Sequence, residues 1–88
     1  MKKSKSNSKQ KNISEDQLKE LLHIGYVIKE LRFNYGMLTQ KKLAQICGVH
    51  YNTIHAIEQG ERSYNILSLM KIISYFGYDL SSFIKEFL

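Results

Sequence analysis

Residues 38–62 read LTQKKLAQICGVHYNTIHAIEQGER, and this stretch decides the fold. The Thr39 hydroxyl can accept a hydrogen bond from one of the amides that a starting helix leaves free, which predicts a short helix beginning at Gln40. Gly48, about two turns later, tolerates the left-handed backbone that ends such a helix. A further short helix is predicted from Tyr51 to about Gln59, stopped by Gly60. Between the two, Ala44 is small where the helices would approach, and Leu43, Cys47, Val49, Ile54 and Ile57 supply a wedge of apolar side chains. The expectation is a pair of short helices crossing steeply about a tight glycine turn.

The flanks read as helices too. Upstream, Ser14 followed three residues later by Gln17 looks like a capping box, so a helix is predicted from near Glu15 to about Phe33. Leu18, Leu21, Leu22, Gly25, Ile28 and Leu31 recur at intervals of three and four along it, and this stripe is expected to face the core. Gly36 then breaks the pattern. Downstream, Asn65 can cap a helix that is apolar on more than one face (Leu67, Leu69, Met70, Ile72, Ile73, Phe76) and is therefore central, with Gly77 at its end. Asp79 can cap a last helix, Leu80 to Leu88, carrying Leu80, Phe83, Ile84, Phe87 and Leu88. Five helices, no strand and no internal repeat make the chain all-α.

Eighty-eight residues suffice for one domain, expected over 14–88, but such a chain buries only a modest core, which favours added stability from a partner chain. The formal charge is +5, yet it is unevenly placed. Residues 1–12 hold five lysines and no acid, whereas the remainder carries eight basic and eight acidic side chains and is neutral overall. The bulk charge is thus no argument for a nucleic-acid partner. The tail over 1–13 is expected to be flexible, either simply solvated or following DNA phosphates. No apolar run approaches the ~20 residues of a membrane span, and the lysine-rich start lacks a signal peptide's apolar segment, so a cytoplasmic protein without a membrane partner is expected.

Catalysis and metal binding find little support in the residues. Cys47 is alone, which forbids an intrachain disulfide and suggests a small buried hydrophobe. His50 and His55 are five apart rather than four, and no cysteine pair or HExxH motif accompanies them; His23 reads as a boundary residue of the first helix. With no glycine-rich phosphate loop and no nucleophile beside an evident base, neither a cofactor nor an enzymatic activity is expected.

The segment quoted above resembles the helix-turn-helix of phage repressors and Cro, the XRE family. The likeness extends over about residues 24–86: Arg32 late in the first helix, the run LTQKKLA, the Gly48–Val49 turn, Ile54 and Ile57 followed by Glu58 and Gly60, and an apolar fourth helix. It fixes residue types across three helices, far more than a single short motif. One departure is visible, because GMLTQ holds an extra residue compared with the commoner GLTQ or GLSQ. The resemblance implies a compact five-helix, lambda-repressor-like fold whose third helix enters the major groove while the second crosses the phosphate backbone.

Carried onto this chain, the resemblance makes Tyr51, Asn52 and His55 base-facing, with Ala56 at an outer position that offers only a methyl group. Asn52 is the strongest choice, since a side-chain amide can pair with adenine through a donor and an acceptor together. Gln40 matches a glutamine that grips a phosphate oxygen at the start of the second helix. Thr39, Lys41, Lys42, His50, Thr53 and Arg62 are further phosphate contacts on this reading, although Lys41 and Lys42 read equally as a solvated helix face. Arg32 and Glu58 match a buried pair that joins the first and third helices and serves structure.

The partners implied are double-stranded DNA, a second copy of the chain and RNA polymerase. Leu67, Phe83, Phe87 and Leu88 are the expected homodimer interface, the alternative being that they only complete the monomer core. The run GVHYNTIHAIEQGERSYNILSLMKI is similar to the controller proteins of restriction-modification systems. The rival reading from another class is an antitoxin-like protein-interaction module for which DNA contact is secondary.

Overall fold

The computed structural model describes residues 13–61 and 63–88, and among these it contains five helices: α1 (Glu15–Asn34), α2 (Gln40–Cys47), α3 (Tyr51–Glu58), α4 (Ile66–Tyr75) and α5 (Leu80–Phe87). The tail expected over 1–13 lies, apart from Ile13, outside the described residues. Local chemistry accounts for the starts. Ser14 and Gln17 form the reciprocal capping box, at 3.0 and 3.1 Å. Thr39, Asn65 and Asp79 accept the amides of Lys42, Leu67 and Ser82 at 3.0, 2.7 and 2.8 Å. Gly48, with φ of 70°, ends α2 in the left-handed region as its lack of a side chain allows.

The extra residue between α1 and α2 is absorbed by two consecutive positive-φ residues, Gly36 at 99° and Met37 at 56°. The Met37 amide donates to the Phe33 carbonyl and the Leu38 amide to that of Arg32, so the last turn of α1 stays satisfied while the chain reverses. A side chain in this region costs roughly 1–2 kcal/mol. Met37 is also 72 % exposed, so its side chain recovers little of that cost by packing.

Helix α4 is central, as its composition predicts: Leu69, Ile72, Ile73 and Phe76 are buried with Ile28 and Leu31 of α1, Leu43 and Ala44 of α2, and Ile54 and Ile57 of α3. Leu67 and Met70 form its outward strip. The structure corrects one expected interface residue. Phe83 is 1 % exposed, with Tyr78 and Phe87 at ring-centroid distances of 6.2 and 5.2 Å, because it lies on the inner face of α5. It belongs to the core and is unavailable to a partner.

The apolar stripe of α1 is also only half realised. Gly25, Ile28 and Leu31 are buried, but Leu18 and Leu22 are 43 % and 47 % exposed. Gly25 lies against the carbonyls of Ile57 and Glu58, the last turn of α3, so on this side the N-terminal part of α1 runs past the end of α3, while His23 on another side meets the Phe87 carbonyl at 2.7 Å. Leu22 reaches only as far as Gly60. Among the described residues no helix is long and apolar enough to cross a membrane.

Candidate nucleic-acid interface

The orientation of α3 is set from behind by a buried ionic cluster. Arg32 on α1 donates from Nε to Glu58 Oε2 at 2.8 Å and from Nη2 to Glu58 Oε1 at 2.9 Å, a two-bond fork whose side chains are 8 % and 3 % exposed. Its Nη1 donates to the Leu38 carbonyl at 2.6 Å, and Gln40 Nε2 donates to Glu58 Oε1 at 3.0 Å. One guanidinium thereby ties together α1, the loop before α2, and α3, and Gln40 adds the start of α2. Bidentate pairing compensates the cost of dehydrating both charges and makes the geometry specific. Gln40, expected to grip phosphate, has its side-chain amide committed to this cluster. Its position at the start of α2 leaves the backbone amide there to face outward.

In front, α3 presents Tyr51, Asn52 and His55 to solvent, with Gln59 exposed at its end. Tyr51 and His55, one turn apart, stack with centroids 6.2 Å apart and planes at 25°, and the Lys41 ammonium lies 5.9 Å above the Tyr51 ring. The front of α3 and the front of α2 are therefore one continuous surface. Between Gln40 and Gln59 the charged side chains are Lys41, Lys42 and the already paired Glu58, so this surface holds two lysines and no free carboxylate. The described part as a whole is close to neutral, but this face is locally positive.

Several expected site residues have more restricted roles than their spacing suggests. Ala56 is only 9 % exposed, and its carbonyl accepts the Glu61 amide at 3.0 Å in the cap that closes α3 around Gly60, whose φ is 78°. Its methyl group is buried, which corrects the expectation that Ala56 faces a base. Thr53 is half-buried, and the Thr39 hydroxyl is committed to capping α2. His50 is exposed and is the N-cap of α3, its Nδ1 accepting the Asn52 amide at 3.3 Å. An accepting Nδ1 leaves the proton of a neutral ring on Nε2, so His50 offers an outward N–H donor beside α3. Arg62 lies outside the described residues.

Sequence reasoning passed over Gln45. It is exposed and lines, with Lys41, Ala44, Val49, His50 and Tyr51, a notch of about 350 Å³ between α2 and α3. Its spacing four residues after Lys41 was the available signal, since i and i+4 share a helix face. Cys47 is half-buried, and desolvation raises its thiol pKa, which keeps it protonated and unreactive at neutral pH. Among the described residues no group of three histidine, cysteine or acidic side chains is placed to hold a metal ion.

A comparison with protein families bears on this arrangement directly: a family model described as helix-turn-helix, of the XRE type, matches residues 28–83, more than half of the chain. No curated protein matches at a significant level. A glycine-hinged helix pair held from behind by Arg32 and Glu58, with an exposed polar row on its second helix, is the part of the chain that this match spans; the protein belongs to the XRE-type helix-turn-helix family and is a DNA-binding transcriptional regulator.

Proposed function

We propose that the chain acts as a homodimer on an inverted-repeat operator, each α3 reading one half-site in the major groove. The observation that carries this reading is the exposed row Tyr51, Asn52 and His55 on a helix whose rear is locked by the Arg32–Glu58 fork. A rigid rear matters because base-edge hydrogen bonds tolerate only small errors of position. Asn52 reads adenine through its amide, worth about 1–3 kcal/mol of discrimination. Tyr51 and His55 flank it, one against a thymine methyl or phosphate and the other against a base edge. Lys41, Lys42, the His50 Nε2–H and the backbone amide of Gln40 take the phosphates, with lesser contributions from Thr39 and Thr53; Arg62 is assigned there by family likeness alone.

For the dimer, Leu67 at 61 % and Leu88 at 56 % exposed, with half-buried Phe87, are apolar side chains on α4 and at the end of α5 that remain open to a partner. A two-fold dimer needs its two recognition helices about 34 to 36 Å apart to meet successive turns of the groove. On the operator such a dimer blocks or recruits RNA polymerase. Its likeness to restriction-modification controllers makes such an operon, including the protein's own promoter, the regulated unit.

Selection from a random duplex library at about 0.15 M salt tests this reading. Enrichment of an inverted repeat is expected, with preference lost at one base pair of each half-site for Asn52→Ala and affinity reduced evenly across sequences for Lys41→Ala. Absence of any enriched sequence, with weak binding even at low salt, would overturn it.

A further inference from the structure

The N-terminal part of α1 carries a largely exposed apolar stripe, which meets the rest of the molecule only where Leu22 reaches Gly60. Leu18, Leu22 and Tyr26 are 43 %, 47 % and 58 % exposed and follow one another at intervals of four, along one face. Val27, Ile28 and Leu31, off this row, are buried. Most of the stripe precedes residue 28, where the family match begins. Single exposed apolar residues are ordinary on protein surfaces, but an aligned row on a solvent-facing helix calls for a partner.

Two charges on this face, which runs on to Phe33 at 40 % exposed, identify that partner. Exposed Glu15 continues it three residues before Leu18, and exposed Lys29 three residues after Tyr26. Among the described residues neither forms an intramolecular ion pair. The spacings from 15 through 18, 22 and 26 to 29 run three, four, four, three, so they read the same from either end. Two copies of α1 laid antiparallel with Leu22 on the two-fold axis thus bring Leu18 against Tyr26 of the other copy, and Glu15 against its Lys29, twice over. A parallel pairing would instead oppose like charges. Isologous contact requires a surface complementary to itself, and this one is so in both apolar content and charge.

We propose that this face of α1 is a second self-association surface, its occupant another copy of the chain, which adjoins the Phe87 and Leu88 end of the other surface only where Tyr26 and Phe87 line one groove. A short two-helix contact falls in the small, weak class of interfaces, so it acts at high local concentration, as between dimers on adjacent operators. With two unlike isologous faces on each copy, the smallest assembly that uses both is a pair of dimers.

Sedimentation velocity of the full chain, from about 1 to several hundred micromolar, tests the surface without DNA. Wild type is expected to form a species above the dimer. Leu22→Asp should remove it while leaving the helical circular dichroism signal intact. Glu15→Lys and Lys29→Glu should each weaken association about five- to tenfold, because each puts two like-charged pairs in the interface. The double variant Glu15→Lys/Lys29→Glu should restore it, which a merely structural role of either residue would not produce. A wild-type protein that never exceeds a dimer held through Leu67 and Leu88, or a Leu22→Asp variant that sediments as wild type, overturns the proposal. Failure of the double swap to rescue overturns the antiparallel register. The species above the dimer rests on the Leu67 and Leu88 dimer of the proposed function, whereas the Leu22→Asp and charge-swap outcomes do not, and the duplex selection tests the operator reading by itself.

Discussion

Helix α1 joins two regions that look alike in sequence and differ in the folded protein. From Gly25 to Arg32 the helix is built into the molecule: Gly25 allows backbone contact with the end of α3, Ile28 is fully buried, and Arg32 holds Glu58. From Glu15 to Leu22 the same helical rhythm continues with leucines of equal hydrophobicity, yet Leu18 and Leu22 keep nearly half of their surface in water. Periodicity reports which residues share a face. Whether that face is covered depends on how far the opposite element extends, and α3 stops at Glu58.

The largest expected effect that could break this contrast lies in the C-terminal half. Glu58→Ala leaves Arg32 dehydrated and without its counter-charge, and should cost about 3–5 kcal/mol in urea unfolding. A cost below about 1 kcal/mol would mean that water reaches the guanidinium and the half is not closed. Next is Gly25→Ala. Helix propensity alone favours alanine by about 1 kcal/mol, but its Cβ would press on the Ile57 and Glu58 carbonyls, so a net loss of about 1–3 kcal/mol is expected. A stabilised variant would show that α1 and α3 can part at little cost. In the N-terminal half, Leu18→Ser should change monomer stability by less than about 0.5–1 kcal/mol, measured at a concentration where the α1 face is unpaired. A larger loss would place this half in the core.

The smallest effect concerns α5, which is tied to α1 by the hydrogen bond between His23 Nε2 and the Phe87 carbonyl at 2.7 Å. At the other end of α5, hydrogen bonds from the Ser82 backbone and side chain hold the exposed Asp79 carboxyl below its ordinary 3.8. A depressed folded value means the carboxylate adds stability that is fully present above the unfolded value and is lost as pH falls through the folded one. Thermal midpoints should therefore drop slightly more below about pH 4 in wild type than in Asp79→Asn, which retains a capping oxygen without the titration. Equal acid dependence in the two proteins would contradict the cap's role.

Much of the architecture was legible because it rests on chemistry within a few residues. Ser14 with Gln17, Thr39, Asn65 and Asp79 start helices through side chains that reach amides two or three positions ahead, and Gly48 ends α2 through its own backbone freedom. The match over residues 28–83 likewise follows from residue types at fixed spacing. Less of the recognition surface could be read this way. Tyr51, Asn52 and His55 are exposed on α3 as the family likeness implied, but Ala56 is buried, and Gln45 gains its place only through the notch that α2 and α3 form together.

What the sequence by itself determined, then, was the order of five helices, their caps and the glycine-hinged pair, since all of these depend on hydrogen bonds and backbone conformations local to the chain. The tertiary structure alone decided that Phe83 turns inward, that Gln40 serves Glu58 rather than standing free, and that the Leu18 and Leu22 part of the α1 stripe is left half-covered. Burial is a relation between surfaces distant in sequence, and a repeating pattern on one helix cannot say where its neighbour ends.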